Sequence, residues 1–382
     1  MRGTARRVCP TCRFQLLTAF PSSAAPPMLP PPRMPWLFQN ASLTRYDAPS
    51  CASGAAMRRR DFIFLLGGVA AWPLVARAQQ SERMRRIGVL GVLDNHDPEA
   101  KARVAALQQA LAASGWTEGV NVRIDYRWAG GDLDRVRKYA AELVALDPDV
   151  ILAEGSPVGP LLQSTARNIP IVFTNVVDPV GSGFVASMSH PGGNATGFTQ
   201  FEYRVSGKWL ELLREVAPNV TRVAVIRDPR LGFGIGQFAV IQAMAPEAIE
   251  LVPINAGSSA EIERAMSAFA RSLNGGLIVT SGSTAFHRDI ITSLAARHRL
   301  PAVYPFRYWA VAGGLISYGP NSIEPSQRAA GYIDRILRGE KPSDLPVQAP
   351  TRYELIVNLK TARGLGLTVP PPLLSRADEV IE

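Results

Sequence analysis

Short apolar runs alternate with helical patterns along the chain from residue 86 onward, and no other feature limits its fold so strongly. Arg86-Ile87-Gly88-Val89-Leu90-Gly91-Val92 has the continuous apolar character of a parallel strand buried on both faces. Asp97-Pro98-Glu99 then reads as an N-cap, a first-turn proline and an acidic first turn. Val104, Leu107 and Leu111 follow at helical spacing, and Gly115 stops the helix. The pattern recurs as a strand over 120–126, a helix over 133–146, a strand over 150–153, a helix over about 158–167 and a strand over 169–173. A second series begins after Gly197. It predicts helices over about 204–216, 258–273, 285–298 and 325–338, and strands over 222–226, 276–280, 301–304 and 315–318. Ser258-Ser259-Ala260-Glu261 opens the second of these helices as a capping box. Such a succession implies parallel sheets covered by helices on both faces. No long hydrophilic linker separates the two halves.

Charge and cysteine usage both divide the chain near residue 78. The formal net charge is +9, but residues 1–78 hold 10 Lys/Arg and 2 Asp/Glu. The other 31 of 41 basic and 30 of 32 acidic residues follow, a balance of +1 that excludes a broad nucleic-acid footprint. Cys9, Cys12 and Cys51 also lie in the first segment, so the remainder has no disulfide, thiol nucleophile or thiolate metal site. Cys9-Pro10-Thr11-Cys12 has redox or zinc spacing without a second pair. Met57-Arg58-Arg59-Arg60-Asp61, the apolar run 62–71, the break at Trp72-Pro73 and Ala76-Arg77-Ala78 compose a secretory signal peptide over 57–78. Arg59-Arg60-Asp61-Phe62-Ile63 is similar to the twin-arginine export motif, with Arg58 where Ser or Thr is usual, and the Tat-like and Sec routes both stay open. The run is short for a bilayer span, and no Cys follows it to carry a lipid. Residues 1–56, rich in proline, read as a disordered or mis-assigned extension, with Met57 as the true start.

Several blocks carry a family resemblance. They are Arg86-Ile87-Gly88-Val89-Leu90, Ile169-Pro170-Ile171-Val172-Phe173, Asp178-Pro179-Val180-Gly181-Ser182-Gly183, Pro191-Gly192-Gly193-Asn194-Ala195-Thr196-Gly197, and Tyr353-Glu354-Leu355-Ile356-Val357-Asn358-Leu359-Lys360-Thr361-Ala362. In them the chain from about Met84 resembles the ABC-transporter substrate-binding family that includes tryptophan- and tyrosine-binding lipoproteins. The resemblance implies the type I periplasmic binding-protein fold, an α/β class of two Rossmann-like doubly wound lobes joined by a hinge that the chain crosses three times. Lobe I is expected over 84–200 plus about 321–340, and lobe II over 201–320 plus about 341–376. The same resemblance implies a periplasmic receptor, monomeric and without a cofactor, that hands a small-molecule solute to an ABC permease in the inner membrane. The expected solute is an amino acid or a similar small zwitterionic or aromatic molecule, captured by hinge closure. The missing lipidation Cys points to a soluble periplasmic protein.

In open α/β sheets ligands bind beyond the carboxyl ends of the strands, where backbone N–H groups converge. The polar residues at these exits are the candidate site: Asn95, Ser156, Thr174, Asn175 and Asp178 in the first half, and Asp228, Ser281, Gly282, Ser283 and Tyr304 in the second. Ser156 and Ser281-Gly282-Ser283 suit the anionic end of a zwitterion, and Asp178 and Asp228 its ammonium. Ordinary turn and capping chemistry is the competing reading for each. Tyr304, Phe306, Tyr308 and Trp309 offer an aromatic wall, or packing between lobe and hinge. A catalytic constellation is not evident. His96, His190, His287 and His298 lack metal spacing, Gly192–Gly197 lacks the Gly-Lys-Ser/Thr ending of a P-loop, and no Gly-x-Ser-x-Gly elbow occurs. An exported two-lobe enzyme and a ligand-binding sensory module remain the alternatives to a transport receptor.

Overall fold

The computed structural model describes residues 83–382 apart from Pro157, Arg167 and Leu231. The extension at 1–56, the signal peptide at 57–78 and the Cys9/Cys12 pair lie outside the described residues. Strands β1 (Arg85–Gly91), β2 (Val122–Trp128), β3 (Val150–Glu154), β4 (Ile171–Val176) and β5 (Ala195–Thr199) form one parallel sheet in the order β2-β1-β3-β4-β5. Between them run α1 (Pro98–Ala113), α2 (Leu133–Ala145) and α3 (Val158–Thr165). Asp97 caps α1 by accepting from the Glu99 N–H at 2.8 Å, and Asp132 caps α2 in the same way. Alternation along β1 sends Ile87 and Val89 to one face and Leu90 to the other. Ile87 and Val89 join Leu107 and Leu111 of α1, whereas Leu90 joins Val136, Ala140 and Leu143 of α2.

The second sheet contains β6 (Arg222–Arg227), β7 (Glu250–Asn255), β8 (Gly275–Val279), β9 (Ala302–Tyr304), β10 (Ile316–Pro320), β11 (Tyr353–Asn358) and β12 (Glu379–Ile381), ordered β12-β11-β10-β9-β8-β6-β7. Strands β6 to β10 are parallel, β11 runs antiparallel to β10, and β12 is parallel to β11. Its helices are α4 (Val205–Val216), α5 (Gly232–Met244), α6 (Ser259–Phe269), α7 (Arg288–Arg297) and α8 (Arg307–Val311). Trp209 of α4 is fully buried here and donates its indole N–H to the Tyr318 carbonyl at 2.8 Å. After β10 the chain returns to the first sheet as α9 (Glu324–Leu337), which packs on α1, β3, β4 and β5. It then runs beside β5, where Gln348 donates to the Gly197 carbonyl and accepts from the Thr199 N–H. From there it re-enters the second sheet as β11, α10 (Leu359–Leu365), α11 (Pro371–Leu374) and β12.

The expected strand–helix succession forms two doubly wound lobes, with three differences in detail. The predicted helix over 285–298 is a 3-10 turn, Ser283–His287, followed by α7. The glycine-rich block at 191–197, where no strand was expected, contains the start of β5. Gly197 stands so close to β4 that a Cβ there would lie 2.0 Å from the Phe173 carbonyl oxygen, so a side chain at this position cannot be placed without moving a strand. Finally, α5, β7, α8 and the C-terminal β11, α10, α11 and β12 were not expected. Helix α5 carries no charged residue from Gly232 to Met244, so it has no polar face to mark it.

Candidate functional site

A cavity with about 830 Å3 of empty volume lies between the two lobes at the carboxyl ends of their strands. The residues after β3 supply Gly155 and Ser156, β4 supplies Asn175, and Gln200 follows β5. From the other lobe come Asp228 and Arg230 after β6, and Gly282 and Ser283 after β8. Leu93, Leu133, Phe286, Phe306 and Tyr308 form its apolar wall. The lobes touch at its edge, where Arg288 Nη2 lies 3.3 Å from Asp97 Oδ2.

Five of the ten candidate residues line this cavity: Ser156, Asn175, Asp228, Gly282 and Ser283. Ser156 Oγ accepts from the Val177 N–H at 3.0 Å. Asn175 adopts a left-handed φ of 56° and donates to the Ser322 carbonyl at 3.4 Å, which ties the end of β4 to the segment joining β10 and α9. The other five lie elsewhere. Asn95 is exposed on a shallow groove beside α1, bordered by Val104, Tyr126 and Trp128. Thr174 is fully buried within β4. Ser281 is held to α5, where its Oγ accepts from Gln237 Nε2 at 2.7 Å and its N–H donates to Gln237 Oε1.

Asp178 caps its own turn by accepting from the Gly181 N–H at 2.8 Å, and it borders a separate depression with Tyr203. Burial, followed by the nearby Asp178 carboxylate, pushes the Tyr203 hydroxyl up to about 12. Tyr304 is buried in lobe II, its ring stacked 5.0 Å from Trp309. The aromatic wall is therefore Phe306 and Tyr308, with Tyr304 and Trp309 packed behind it.

Sequence reasoning missed the two arginines of the site, Arg103 and Arg230. Arg103 lines the cavity from α1 although it is 6% exposed. Its Nε donates to Glu99 Oε1 at 3.0 Å and its Nη1 to Glu154 Oε1 at 2.7 Å. Glu99 Oε1 also accepts from Ser322 Oγ at 2.6 Å. Burial opposes the charged form of Arg103, but the two glutamates outweigh it and hold the guanidinium more firmly protonated than usual. The signal was present as a Glu99–Arg103 pair at i,i+4. In lobe II, burial raises the Asp228 carboxyl, yet hydrogen bonds from Arg230 and Ser283 override it and hold Asp228 below the ordinary range.

A profile of the ABC transporter substrate binding protein family matches residues 86–381. The chain belongs to that family. Members bind small solutes and work with an ABC permease, and the family is one of substrate-binding proteins, not of enzymes. Such proteins are typically extracytoplasmic, and among the described residues no helix is long and apolar enough to cross a membrane. This substrate-binding protein is 24% identical to the tyrosine-binding protein of Clostridioides difficile (strain R20291) over 288 residues, covering 75% of this chain and 82% of that protein. Among solved structures, a conserved domain protein of Vibrio cholerae O1 biovar El Tor is 28% identical, with a TM-score of 0.71 over 78% of this chain and all (100%) of that one. An ABC domain of Streptococcus pneumoniae in complex with L-Trp is 24% identical, with a TM-score of 0.72 over 78% of this chain and 99% of that one. The fold is that of the type I periplasmic binding proteins.

Proposed function

We propose that this chain is the receptor of an ABC importer for an amino acid, aromatic ones first, and that it captures its solute by closing two lobes about a hinge. The observation that carries this reading is the cavity itself. Ser156 and Asn175 of one lobe face Asp228, Arg230 and Ser283 of the other across an apolar wall. A solute that touches both sides adds binding energy only when the lobes are together, so capture favours closure. The name of the Clostridioides relative and the L-Trp complex of the Streptococcus protein support the ligand class. Export by the signal peptide at 57–78 and action as a periplasmic monomer belong to the same reading.

A thermal-shift screen of amino acids against the mature chain is the direct test. A ligand at 100 times its Kd stabilises the folded state by about 2.7 kcal/mol, which raises the melting temperature measurably. The same ligand is expected to make the protein more compact in solution scattering and to be recovered chemically unchanged. A converted product would replace the receptor with the exported enzyme. Stabilisation without compaction would leave binding and remove the hinge mechanism. With the ligand so found, Asp178→Asn is expected to keep its affinity within about twofold by calorimetry, because the amide still accepts from Gly181 and tolerates the left-handed φ of 46°. A tenfold loss would return Asp178 to the ligand.

A further inference from the structure

Asp228 has no place left for a ligand ammonium. Its Oδ1 accepts from the Arg230 backbone N–H at 3.0 Å and from Arg230 Nε at 2.9 Å. Its Oδ2 accepts from Arg230 Nη2 at 2.8 Å and from Ser283 Oγ at 2.7 Å. The carboxylate side chain is 3% exposed, whereas the Arg230 side chain that covers it is 63% exposed and lines the cavity. Asp228 thus serves as the mount for a guanidinium.

Such a mount leaves a defined set of donors. A guanidinium carries five N–H groups in one plane, and Asp228 takes the edge formed by Nε and one hydrogen of Nη2. The adjoining edge, formed by one Nη1 hydrogen and the second Nη2 hydrogen, is a fork of the width that a carboxylate fits bidentately. Among the described residues no acceptor is bonded to Nη1 of Arg230. We propose that Arg230 anchors the carboxylate of the solute on lobe II, with Asp228 and Ser283 as positioning residues that aim its free edge. The inference rests on the amino-acid reading and narrows it to solutes with a free carboxylate. Amides and amines of the same skeleton are discriminated against because the fork then faces a group that cannot accept two charge-assisted hydrogen bonds.

The test titrates the mature chain with L-tyrosine, L-tryptophan, their carboxamides, tyramine, tryptamine and 3-(4-hydroxyphenyl)propionate. Wild type is expected to prefer each acid over its amide by about tenfold or more. Arg230→Gln is expected to lose that factor for the acids and to change the amides less than about threefold, so the acid-to-amide ratio collapses. Arg230→Lys retains part of it, and Asp228→Asn lowers the ratio without removing a ligand contact. Melting curves of Arg230→Gln should fall below wild type, because the buried Asp228 carboxylate loses its cation, whereas Arg230→Lys, which keeps the charge, should melt closer to it. Equal losses for acid and amide in Arg230→Gln, or amines that bind wild type as well as acids do, overturn the anchor while amino-acid binding stands. Failure of every carboxylate to bind overturns the anchor and the amino-acid reading together.

Discussion

Arg103→Ala is expected to destabilise the protein by about 3–5 kcal/mol, because it strands two buried carboxylates. Glu99 and Glu154 are 8% and 3% exposed, and Arg103 is the only cation hydrogen-bonded to either among the described residues. Desolvating three ions is costly, and the mutual attraction of the triad offsets that cost only while all three are present. Removing the central cation forfeits the attraction and keeps the desolvation of both anions. Neutralising the anions as well isolates this cause. The triple variant Arg103→Met, Glu99→Gln, Glu154→Gln should recover more than half of the loss, since amides of the same shape tolerate burial better than unpaired charges. Urea unfolding followed by circular dichroism measures both variants, with the slope unchanged if only stability moves. A loss below about 1 kcal/mol for Arg103→Ala would mean that the glutamates keep solvent contact and that the triad does not brace the cavity floor.

The two-lobe class was legible because strand and helix periodicities are local, and parallel strands bring all their carboxyl ends to one edge. Ser156, Asn175, Asp228, Gly282 and Ser283 reach the cavity because each follows, or ends, a strand at that edge. Thr174 is buried within β4, and Ser281 is turned into α5 by its two hydrogen bonds with Gln237. Asn95 lies beyond the point where Val92 and Leu93 have already filled the cavity edge. Tyr304 still belongs to β9, and its ring packs inward on Trp309, so the wall begins two residues later with Phe306. Arg103, whose i,i+4 spacing from Glu99 marks a pair but not a cavity, and Arg230 were missed for another reason. Their roles depend on partners brought by folding, Glu154 from β3 in the first case and an exposed cavity edge in the second. Charge sums along the chain could show neither. The same holds for β5, whose glycine needs the neighbouring strand in place to explain it.

Gly131→Asn should block lobe closure and weaken solute binding roughly 5- to 150-fold. Gly131 lies in lobe I with a left-handed φ of 80°, and a Cβ built on it would stand 2.7 Å from the ring of Phe286 in lobe II. In the proposed hinge motion that contact is made only when the lobes are together, so a side chain there penalises the closed state and leaves the open one untouched. Overpacking of this kind costs about 1–3 kcal/mol, and a cost confined to one of two states appears in full as lost affinity. Asparagine is the chosen wedge because it tolerates a left-handed backbone, which keeps conformational strain from lowering the stability of both states alike. The unliganded variant should therefore melt within a few degrees of wild type, yet fail to become more compact in solution scattering when ligand is added. Truncating the opposing ring tests the mechanism from the other side. Phe286→Ala lines the cavity and weakens binding by itself, but in that background Gly131→Asn should cost less than about threefold more. Coupling between the two positions is the signature of a closure contact. Undiminished affinity and compaction in Gly131→Asn would show that the solute is held without Gly131 and Phe286 meeting, and a full additive loss in the double variant would place the effect in the backbone of lobe I.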